Sequence, residues 1–216
     1  TIDLLFGNET GRLQLKNPQQ YTDRNQAEAF VNQLVGQNGK VVTVNTKEKQ
    51  QLAPLPYDLT ELQQVANSRY QYSAKKTLSL VQSLYETHKI VSYPRTDSKY
   101  LPQDLAGTMK ERLQALVGYD ERAKRYLAQG AKVKQTAVFN DRKVTDHYAL
   151  IPTEERPRFE KLSTDESRIY HLILERFFGL FADPHITATT KATVAIAGHS
   201  FVFTQEKVLQ AGWQTG

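Results

Sequence analysis

The N-terminal part of the chain changes from a helical to a strand-like pattern of apolar positions. Residues 1–15 are mixed and carry few helix signals. A helix is predicted after them, because Thr22 or Asp23 can cap its start and Gly36 and Gly39 can end it. Its apolar positions recur at helical spacing, at Ala27, Phe30, Val31 and Leu34. Lys40–Glu48 then alternates between apolar and polar residues, which predicts a strand.

Two prolines, Pro54 and Pro56, interrupt this pattern and mark the exit from a first domain. A short amphipathic helix is predicted over Leu59–Asn67, and Ser73 can cap a second helix after it. The second helix is predicted to bury one face, formed by Ala74, Leu78, Val81 and Tyr85. Ile90–Arg95 is too short for a helix and is predicted to be extended.

Two further helices are expected before a polar stretch. Pro102 suits the first turn of a third helix that runs to about Val117. Asp120–Gln129 is predicted to form a fourth helix. Gly130–Asp146 is polar and is predicted to be a loop or a hairpin. Its candidate short strands are Val133-Lys134 and Val138-Phe139.

The last third of the chain predicts one long helix followed by strands. Ser163 and Glu166 have the spacing of a capping box, and Pro184 ends the helix that follows. The apolar stripe of this helix consists of Ile169, Leu172, Ile173, Phe177 and Leu180. From Ile186 the residues alternate again, which predicts antiparallel strands that end near Trp213.

Elements with strands therefore lie at both ends of the chain, and helices lie in the middle. This order predicts an α+β fold in which a mostly helical domain, resembling a helix-turn-helix, is inserted into a β-containing domain. The helical domain is expected to span residues 65–162. The β-containing domain is expected to combine residues 1–64 with residues 163–216.

The amino-acid composition excludes only a few classes of function. The chain is 39% hydrophobic and 24% charged, as is usual for a folded globular protein. It contains no cysteine, which excludes disulfides and thiolate-bound zinc and fits the cytoplasm. No apolar run is long enough to span a membrane, so a membrane partner is not expected. The net charge of +5 favours polyanionic partners such as nucleic acid.

Candidate chemistry is concentrated in the segment Tyr93–Ser98. Pro94 disfavours a helical conformation at Tyr93, so the phenol should lie on an extended segment beside Arg95. A phenolic oxygen can attack phosphorus, and a guanidinium can hold the phosphate oxygens and stabilise developing charge. Asp97 can orient Arg95. The alternative is purely structural: a packed tyrosine at the end of a strand, and an arginine and an aspartate that form a surface ion pair.

The same segment, read as Ser92–Ser98, resembles the active-site motif of type IA DNA topoisomerases. Other segments resemble this family in the same order along the chain, over roughly residues 38 to 216. They are Pro54–Gln63, Ser73–Glu86, Asp146–Thr153, Arg176-Phe177-Phe178 and Gly212-Trp213. Leu150 stands where the family usually has isoleucine. The motif forms are most similar to the topoisomerase III branch of bacteria.

The resemblance implies a role for several residues. Tyr93 would be the nucleophile that cleaves one DNA strand and keeps its 5′-phosphoryl end. Arg95 would stabilise the transferring phosphoryl group, and His147 would donate to DNA near the scissile phosphate. Four further residues are candidate DNA contacts: Asp97, Thr153, Lys75 and Lys76. Each of these four also has an ordinary structural interpretation, as a helix or turn cap for Asp97, a turn residue for Thr153 and a solvated helix face for the lysines.

The resemblance also implies partners and a cofactor. Single-stranded DNA would be the preferred partner, and the enzyme would relax or decatenate DNA without ATP, as a monomer in the cytoplasm at the bacterial nucleoid. Magnesium would be bound by an acidic Toprim domain, and no part of this sequence resembles that domain. The chain also begins without methionine. We therefore expect a central fragment, the arch and tyrosine domains, which binds no metal itself and is inactive alone.

Two other classes of protein remain as alternatives. A non-catalytic DNA-binding module could be built from the helices Leu59–Asn67 and Ser73–Thr87, with the second as a recognition helix. That helix would present Lys75, Lys76, Ser79, Gln82 and Ser83. This reading leaves Tyr93–Ser98 and His147 unexplained. A phosphotyrosine-forming recombinase or relaxase would need clustered arginine and histidine or a histidine triad, and neither is evident.

Overall fold

The computed structural model describes residues 2–8 and 11–215 and divides them into two compact units. The β unit comprises His185–Ala211 and the described part of Thr1–Gln51. The helical unit comprises Leu52–Pro184 and the described part of Gly212–Gly216. The α+β class is confirmed, as is the insertion of a helical region into a β-containing one.

The limits of the units differ from the predicted ones. Residues 52–64 and 163–184 were assigned to the β-containing domain, but the structure packs them in the helical unit. The reason is side-chain packing between segments that are distant in the sequence. Buried side chains of both segments, among them Tyr57, Leu62 and Ile173, belong to the core of the helical unit.

The β unit contains one antiparallel sheet with the strand order β1-β2-β5-β4-β3. Its strands are β1 Asp3–Asn8, β2 Gly11–Lys16, β3 Gly39–Gln51, β4 His185–Ile196 and β5 His199–Gln210. The long strands β3, β4 and β5 pair along almost their whole length. The pair β1 and β2 joins them through Lys16 and Val202. The three long strands confirm the prediction made from the alternating apolar and polar residues. The strands β1 and β2 were not predicted.

One helix, α1 Arg24–Leu34, covers the sheet. Its start is capped as predicted, since the Asp23 side chain accepts a hydrogen bond from the backbone N–H of Asn25 at 2.8 Å. The core of the β unit forms between this helix and the strands. Its members are Ile2, Leu15, Phe30, Leu34, Val194, Ile196 and Phe201.

The helical unit is organised around a long buried helix. Its helices are α2 Leu59–Tyr70, α3 Ala74–Glu86, α4 Met109–Ala115, α5 Glu121–Ala128 and α6 Thr164–Gly179. The predicted capping box of α6 is present, with Ser163 and Glu166 bonded reciprocally at 2.7 and 3.2 Å. The predicted stripe of α6 is buried, and so are Tyr170, Leu174 and Phe178. Helix α6 is therefore a core element of this unit.

Three sequence predictions in the helical unit need correction. Helix α3 buries Thr77, Val81 and Leu84, because it turns this face towards α6, and leaves Tyr85 37% exposed. The third helix starts as a 3-10 helix, Gln103–Thr108, before α4. The stretch 130–146 is a loop with two 3-10 turns, one of the two predicted alternatives, and neither candidate short strand forms. Its Phe139 forms only an isolated bridge to Leu101.

Candidate active site

Two separate chain segments lie side by side at the centre of the candidate site. Backbone N–H groups of Ser92, Thr153 and Ala149 donate to carbonyl oxygens across the two segments, each at 3.0 Å. The acceptors are Ile151, Ile90 and Tyr100 respectively. These bonds place Tyr93 and His147 on adjacent segments, although they are far apart in the sequence.

The hydroxyl of Ser92 ties the two segments together. Its Oγ donates to the carbonyl of Ala149 at 2.8 Å and accepts from the N–H of Ile151 at 3.0 Å. Ser92 is buried, so water does not compete for these bonds. The residue before the tyrosine therefore fixes the register between the extended segment of Tyr93 and the segment that follows His147.

Tyr93 lies between two aromatic rings. The imidazole of His147 is 4.0 Å away between ring centroids, at an interplanar angle of 33°. Tyr85 from α3 meets Tyr93 edge to face at 5.4 Å. Tyr93 is half-buried, so its ring is held in place while its surface stays partly accessible. Sequence reasoning placed Tyr85 in the core face of α3 and missed this contact.

Buried hydroxyl groups fix the turn that follows Tyr93. The Oγ1 of Thr96 donates to the carbonyl of His147 at 3.1 Å and accepts from the N–H of Ser98 at 3.1 Å. The Oγ of Ser98 donates to the carbonyl of Lys143 at 2.7 Å. The segments carrying Tyr93 and His147 are thus joined on both sides of the aromatic contact.

Arg95 projects from this turn into solvent. It is exposed and makes no hydrogen bond or ion pair with any residue that the structure describes. Asp97 does not orient it, which corrects the sequence-based expectation; Asp97 accepts instead from the hydroxyl of Thr145 at 3.0 Å. Arg95 and Asp97 line a cavity of about 340 Å³ together with Asp146 and His147. The guanidinium of Arg95 therefore keeps its donors for a ligand.

The other candidate DNA contacts lie in different settings. Lys76 pairs with Asp165 at 2.6 Å and covers the ring of Tyr72. Lys75 is exposed and has no ion pair among the described residues. The hydroxyl of Thr153 donates to the carbonyl of Lys89 at 2.7 Å and accepts from a backbone N–H two residues on, which is the geometry of a turn residue.

Glu61 of α2 lies in an ion-pair network next to the site, which the sequence did not reveal. Glu61 accepts from Lys99 at 2.8 Å and from Arg176 at 2.9 Å. Burial opposes the ionisation of Glu61, but the Lys99 hydrogen bond and the Arg176 charge outweigh it and lower the pKa of Glu61. The N–H of Leu59 in the same helix donates to the carbonyl of Thr96 at 3.0 Å. The network thus anchors α2 beside the turn after Tyr93.

A buried arginine holds the second segment. Arg112 of α4 is 3% exposed and donates to the carbonyl of Pro152 at 2.7 Å and to the hydroxyl of Thr108 at 3.0 Å. It also pairs with Glu154 at 2.7 Å. Nothing in the sequence around Arg112 distinguishes it from a solvated helix residue, so only the fold reveals this role.

No metal site accompanies these residues. Within the described residues, 2–8 and 11–215, no three histidine, aspartate or glutamate side chains lie close enough to hold a metal ion. The described residues therefore do not fit the magnesium site that the resemblance implies for a different domain. Among the same residues, no helix is long and apolar enough to cross a membrane.

Comparison with known proteins decides the family. The sequence model of a family described as DNA topoisomerase matches residues 1–215. The chain belongs to the type IA DNA topoisomerase family. It is 41% identical over 204 residues to "DNA topoisomerase 3" of Staphylococcus aureus strain MRSA252, and 40% identical to that of strain NCTC 8325. Each alignment covers 94% of this topoisomerase chain and 29% of the relative.

A solved structure supports the fold. Full-length topoisomerase I from Thermotoga maritima matches 98% of this chain with a TM-score of 0.63 at 20% identity. The match covers 35% of that protein. This topoisomerase chain therefore has the fold of one part of a larger type IA enzyme and spans less than a third of the curated relatives it matches.

Proposed function

We propose that this chain supplies the DNA-cleaving tyrosine of a type IA topoisomerase. The observation that carries the proposal is the placement of Tyr93 against His147, 4.0 Å between ring centroids, where His147 lines the same cavity as the uncommitted guanidinium of Arg95. A phenol packed on an imidazole, with a free guanidinium in the adjoining cavity, suits phosphoryl transfer.

The proposed step is a transesterification on one DNA strand. The Tyr93 oxygen forms a bond to phosphorus, and the bond from phosphorus to the 3′-oxygen breaks. The phenolic proton leaves Tyr93, and the departing 3′-hydroxyl gains a proton. The 5′ end of the break stays attached to Tyr93 as a phosphodiester, so the reverse attack by the 3′-hydroxyl reseals the strand without ATP.

Arg95 and His147 have distinct roles in this step. Arg95 can place two parallel N–H groups on the non-bridging oxygens of the phosphate and stabilise the charge that builds up there. The ring of His147 lies next to the Tyr93 ring and can donate a hydrogen bond to the same phosphate. Lys75, Asp97 and Thr153 are proposed as outer contacts to the strand. Lys76 is the least suited of these, since Asp165 already neutralises its charge.

The broader activity follows from the family. We propose that the cut strand opens for passage of a second strand, that single-stranded DNA is preferred, and that the enzyme acts as a monomer on the bacterial nucleoid. Magnesium would act through residues outside the described part of this chain. We therefore propose that these residues alone do not relax DNA, and robust relaxation by the isolated chain would contradict this.

The decisive experiment looks for a covalent adduct. The chain is mixed with a Toprim-containing N-terminal piece of a relative, magnesium and single-stranded DNA labelled at either end, and is then denatured. We expect an adduct at the DNA 5′ end that disappears in Tyr93→Phe. Tyr85→Phe is the matched control, because it removes the neighbouring phenol and keeps the ring contact, so the adduct should persist.

The alternative of a non-catalytic DNA-binding module makes the opposite prediction. It expects tight binding without an adduct, unchanged by Tyr93→Phe. The contacts of α3 count against it, since Lys76 pairs with Asp165 and the hydroxyl of Ser83 donates to Glu166 at 2.6 Å. Lys76 and Ser83, two of the residues that the recognition helix would present to DNA, therefore already bind side chains of α6.

A further inference from the structure

The helical unit contains a second, larger cavity with a strongly basic lining. Its volume is about 800 Å³, and it lies between α2, α5, α6 and the segment after Gly212. The lining includes one acidic residue, Glu175. The basic residues of the lining are Arg69, Arg122, Arg125, Arg176 and His171.

This cavity is separate from the one beside Tyr93. The two share no lining residue. Helix α2 contributes Thr60 to the cavity lined by Arg95 and His147, and Val65 and Arg69 to the basic cavity. At 1.5 Å per residue, Val65 and Arg69 lie about 8 and 14 Å from Thr60 along the helix axis. The two cavities therefore face different turns of α2.

Aromatic rings hold three of the guanidinium groups in position. Arg122 lies 4.6 Å from the ring centroid of Phe178, and Arg176 lies 4.3 Å from that of Tyr57. Arg125 lies 5.2 Å from the centroid of its neighbour Tyr126. All three rings are buried, so each guanidinium rests on a rigid support. Little side-chain entropy would then be lost when a ligand binds.

Several N–H groups in this cavity have no acceptor. Asp120 binds Nε and Nη2 of Arg122, and Nη1 of Arg122 has no partner within the described residues. Arg176 is already engaged, since it donates to Leu55 and Glu61 through its two Nη atoms and also hydrogen-bonds to the side chain of Tyr57. Arg125 is exposed and has no ion pair in the described part of the chain. Arg69 and His171 both pair with Glu175, so the donors left for a ligand are Nη1 of Arg122 and the guanidinium of Arg125.

We propose that this basic cavity binds a phosphate group of a single-stranded nucleic acid, at a position away from the bond that Tyr93 attacks. Planar guanidinium groups match the two free oxygens of a phosphodiester. The volume suits a nucleotide, and Trp213 in the lining offers an indole on which a base can stack. An acidic peptide lacks such a base, so the indole favours nucleic acid over it.

Trp213 makes the proposal directly testable, because it is the one tryptophan in the sequence. The chain carrying Tyr93→Phe is titrated with a short oligothymidylate while the fluorescence of Trp213 is recorded. We expect a saturable change whose apparent affinity falls as salt rises. The Tyr93→Phe variant lacks the proposed nucleophile, so the titration measures binding alone. Its result therefore does not depend on whether the proposed cleavage reaction is correct.

Two substitutions at Arg125 define the contribution of the cavity. Arg125→Ala removes an exposed side chain and should weaken binding about tenfold, the loss of one charge-assisted hydrogen bond. Arg125→Lys keeps the charge but loses the planar fork, and an intermediate affinity is expected. Lys124→Ala is the matched control: its side chain pairs with Glu121 at 2.7 Å and does not line the cavity, so binding should not change.

Three results would overturn the proposal. The first is binding of a labelled oligothymidylate without any change in Trp213 fluorescence. The second is an equal loss of affinity in Arg125→Ala and Lys124→Ala, which would show that only overall charge matters. The third is tighter binding of oligoglutamate than of oligothymidylate, which would make the cavity a site for an acidic peptide.

Discussion

The rings of Tyr93 and His147 lie 4.0 Å apart, and hydrogen bonds of neighbouring residues hold the two segments that carry them. Ser92, directly before the tyrosine, is bonded to both neighbours of Leu150 on the segment that follows the histidine. Thr96, three residues after the tyrosine, is bonded to the carbonyl of His147 itself. The pair is therefore preorganised before DNA binds.

This arrangement predicts a specific loss for substitutions of His147. His147→Ala should slow formation of the Tyr93–DNA adduct by about 10²–10³-fold, the usual effect of removing one donor to a developing charge. His147→Gln retains an N–H donor and should lose less. The measurement is the single-turnover rate of adduct formation with saturating DNA. An unchanged rate in His147→Ala would show that the histidine only packs against the nucleophile.

The bridging hydroxyl of Ser92 predicts a loss of stability. Ser92→Ala leaves the buried N–H of Ile151 and carbonyl of Ala149 without their partner, which should cost about 1–3 kcal/mol in the free energy of unfolding. Urea unfolding followed by circular dichroism measures this change. Ser79→Ala, on the exposed face of α3, is the control and should stay within about 0.5 kcal/mol of the parent. Equal effects would contradict the bridging role.

The sequence predicted those parts of the molecule whose structure depends on local patterns. The stripe and capping box of α6 specify its start and its buried face, although the helix ends at Gly179 and not at the predicted Pro184. The alternation after Ile186 specifies the strands β4 and β5. The hairpin of β1 and β2 was missed because Leu4, Leu5 and Phe6 are consecutive apolar residues without strict alternation. Its strands are defined by their pairing with each other, which a local pattern does not contain.

The site was only partly predictable for the same reason. Tyr93, Arg95 and His147 were proposed from motifs, but the motifs do not show that Arg95 stays free of Asp97. The supporting contacts of Glu61 and Arg112 join residues distant in sequence, and both look like ordinary charged helix positions. Such contacts exist only once the chain is packed, so they were found in the structure alone.

Glu61 predicts a dependence of stability on pH. Its folded-state pKa is lowered below the ordinary value of 4.5, because Lys99 and Arg176 outweigh the effect of burial. A lowered folded pKa adds stability that is present above 4.5 and is lost as the pH falls through the folded value. Glu61→Gln should therefore be less stable than the parent at neutral pH, and the difference should shrink in acid.

Urea midpoints at several pH values measure this difference. Glu86→Gln is the control, since Glu86 is exposed and has no ion pair among the residues that the structure describes. It should leave the midpoint nearly unchanged at each pH. A difference between Glu61→Gln and the parent that stays constant from neutral pH to well below 4.5 would show that the carboxylate charge is not its source.

The glycine of the Gly212-Trp213 motif predicts the largest loss of stability. Gly212 has a φ of +57°, and a Cβ at this position would lie 2.2 Å from the carbonyl oxygen of Pro184 and 2.5 Å from that of Asp183. Backbone atoms cannot move aside as a flexible side chain can, and the N–H of Trp213 is bonded to the same Asp183 carbonyl at 3.0 Å. Gly212→Ala should cost more than about 3 kcal/mol in the free energy of unfolding.

Gly130 separates the two causes of this cost. Its φ is +84°, but a Cβ there would meet no atom within 4 Å. Gly130→Ala should therefore show only the strain of the left-handed conformation, about 1–2 kcal/mol. Both variants are compared with the parent by urea unfolding, followed by circular dichroism. If Gly212→Ala costs no more than Gly130→Ala, the close approach of the Pro184 carbonyl does not constrain this position.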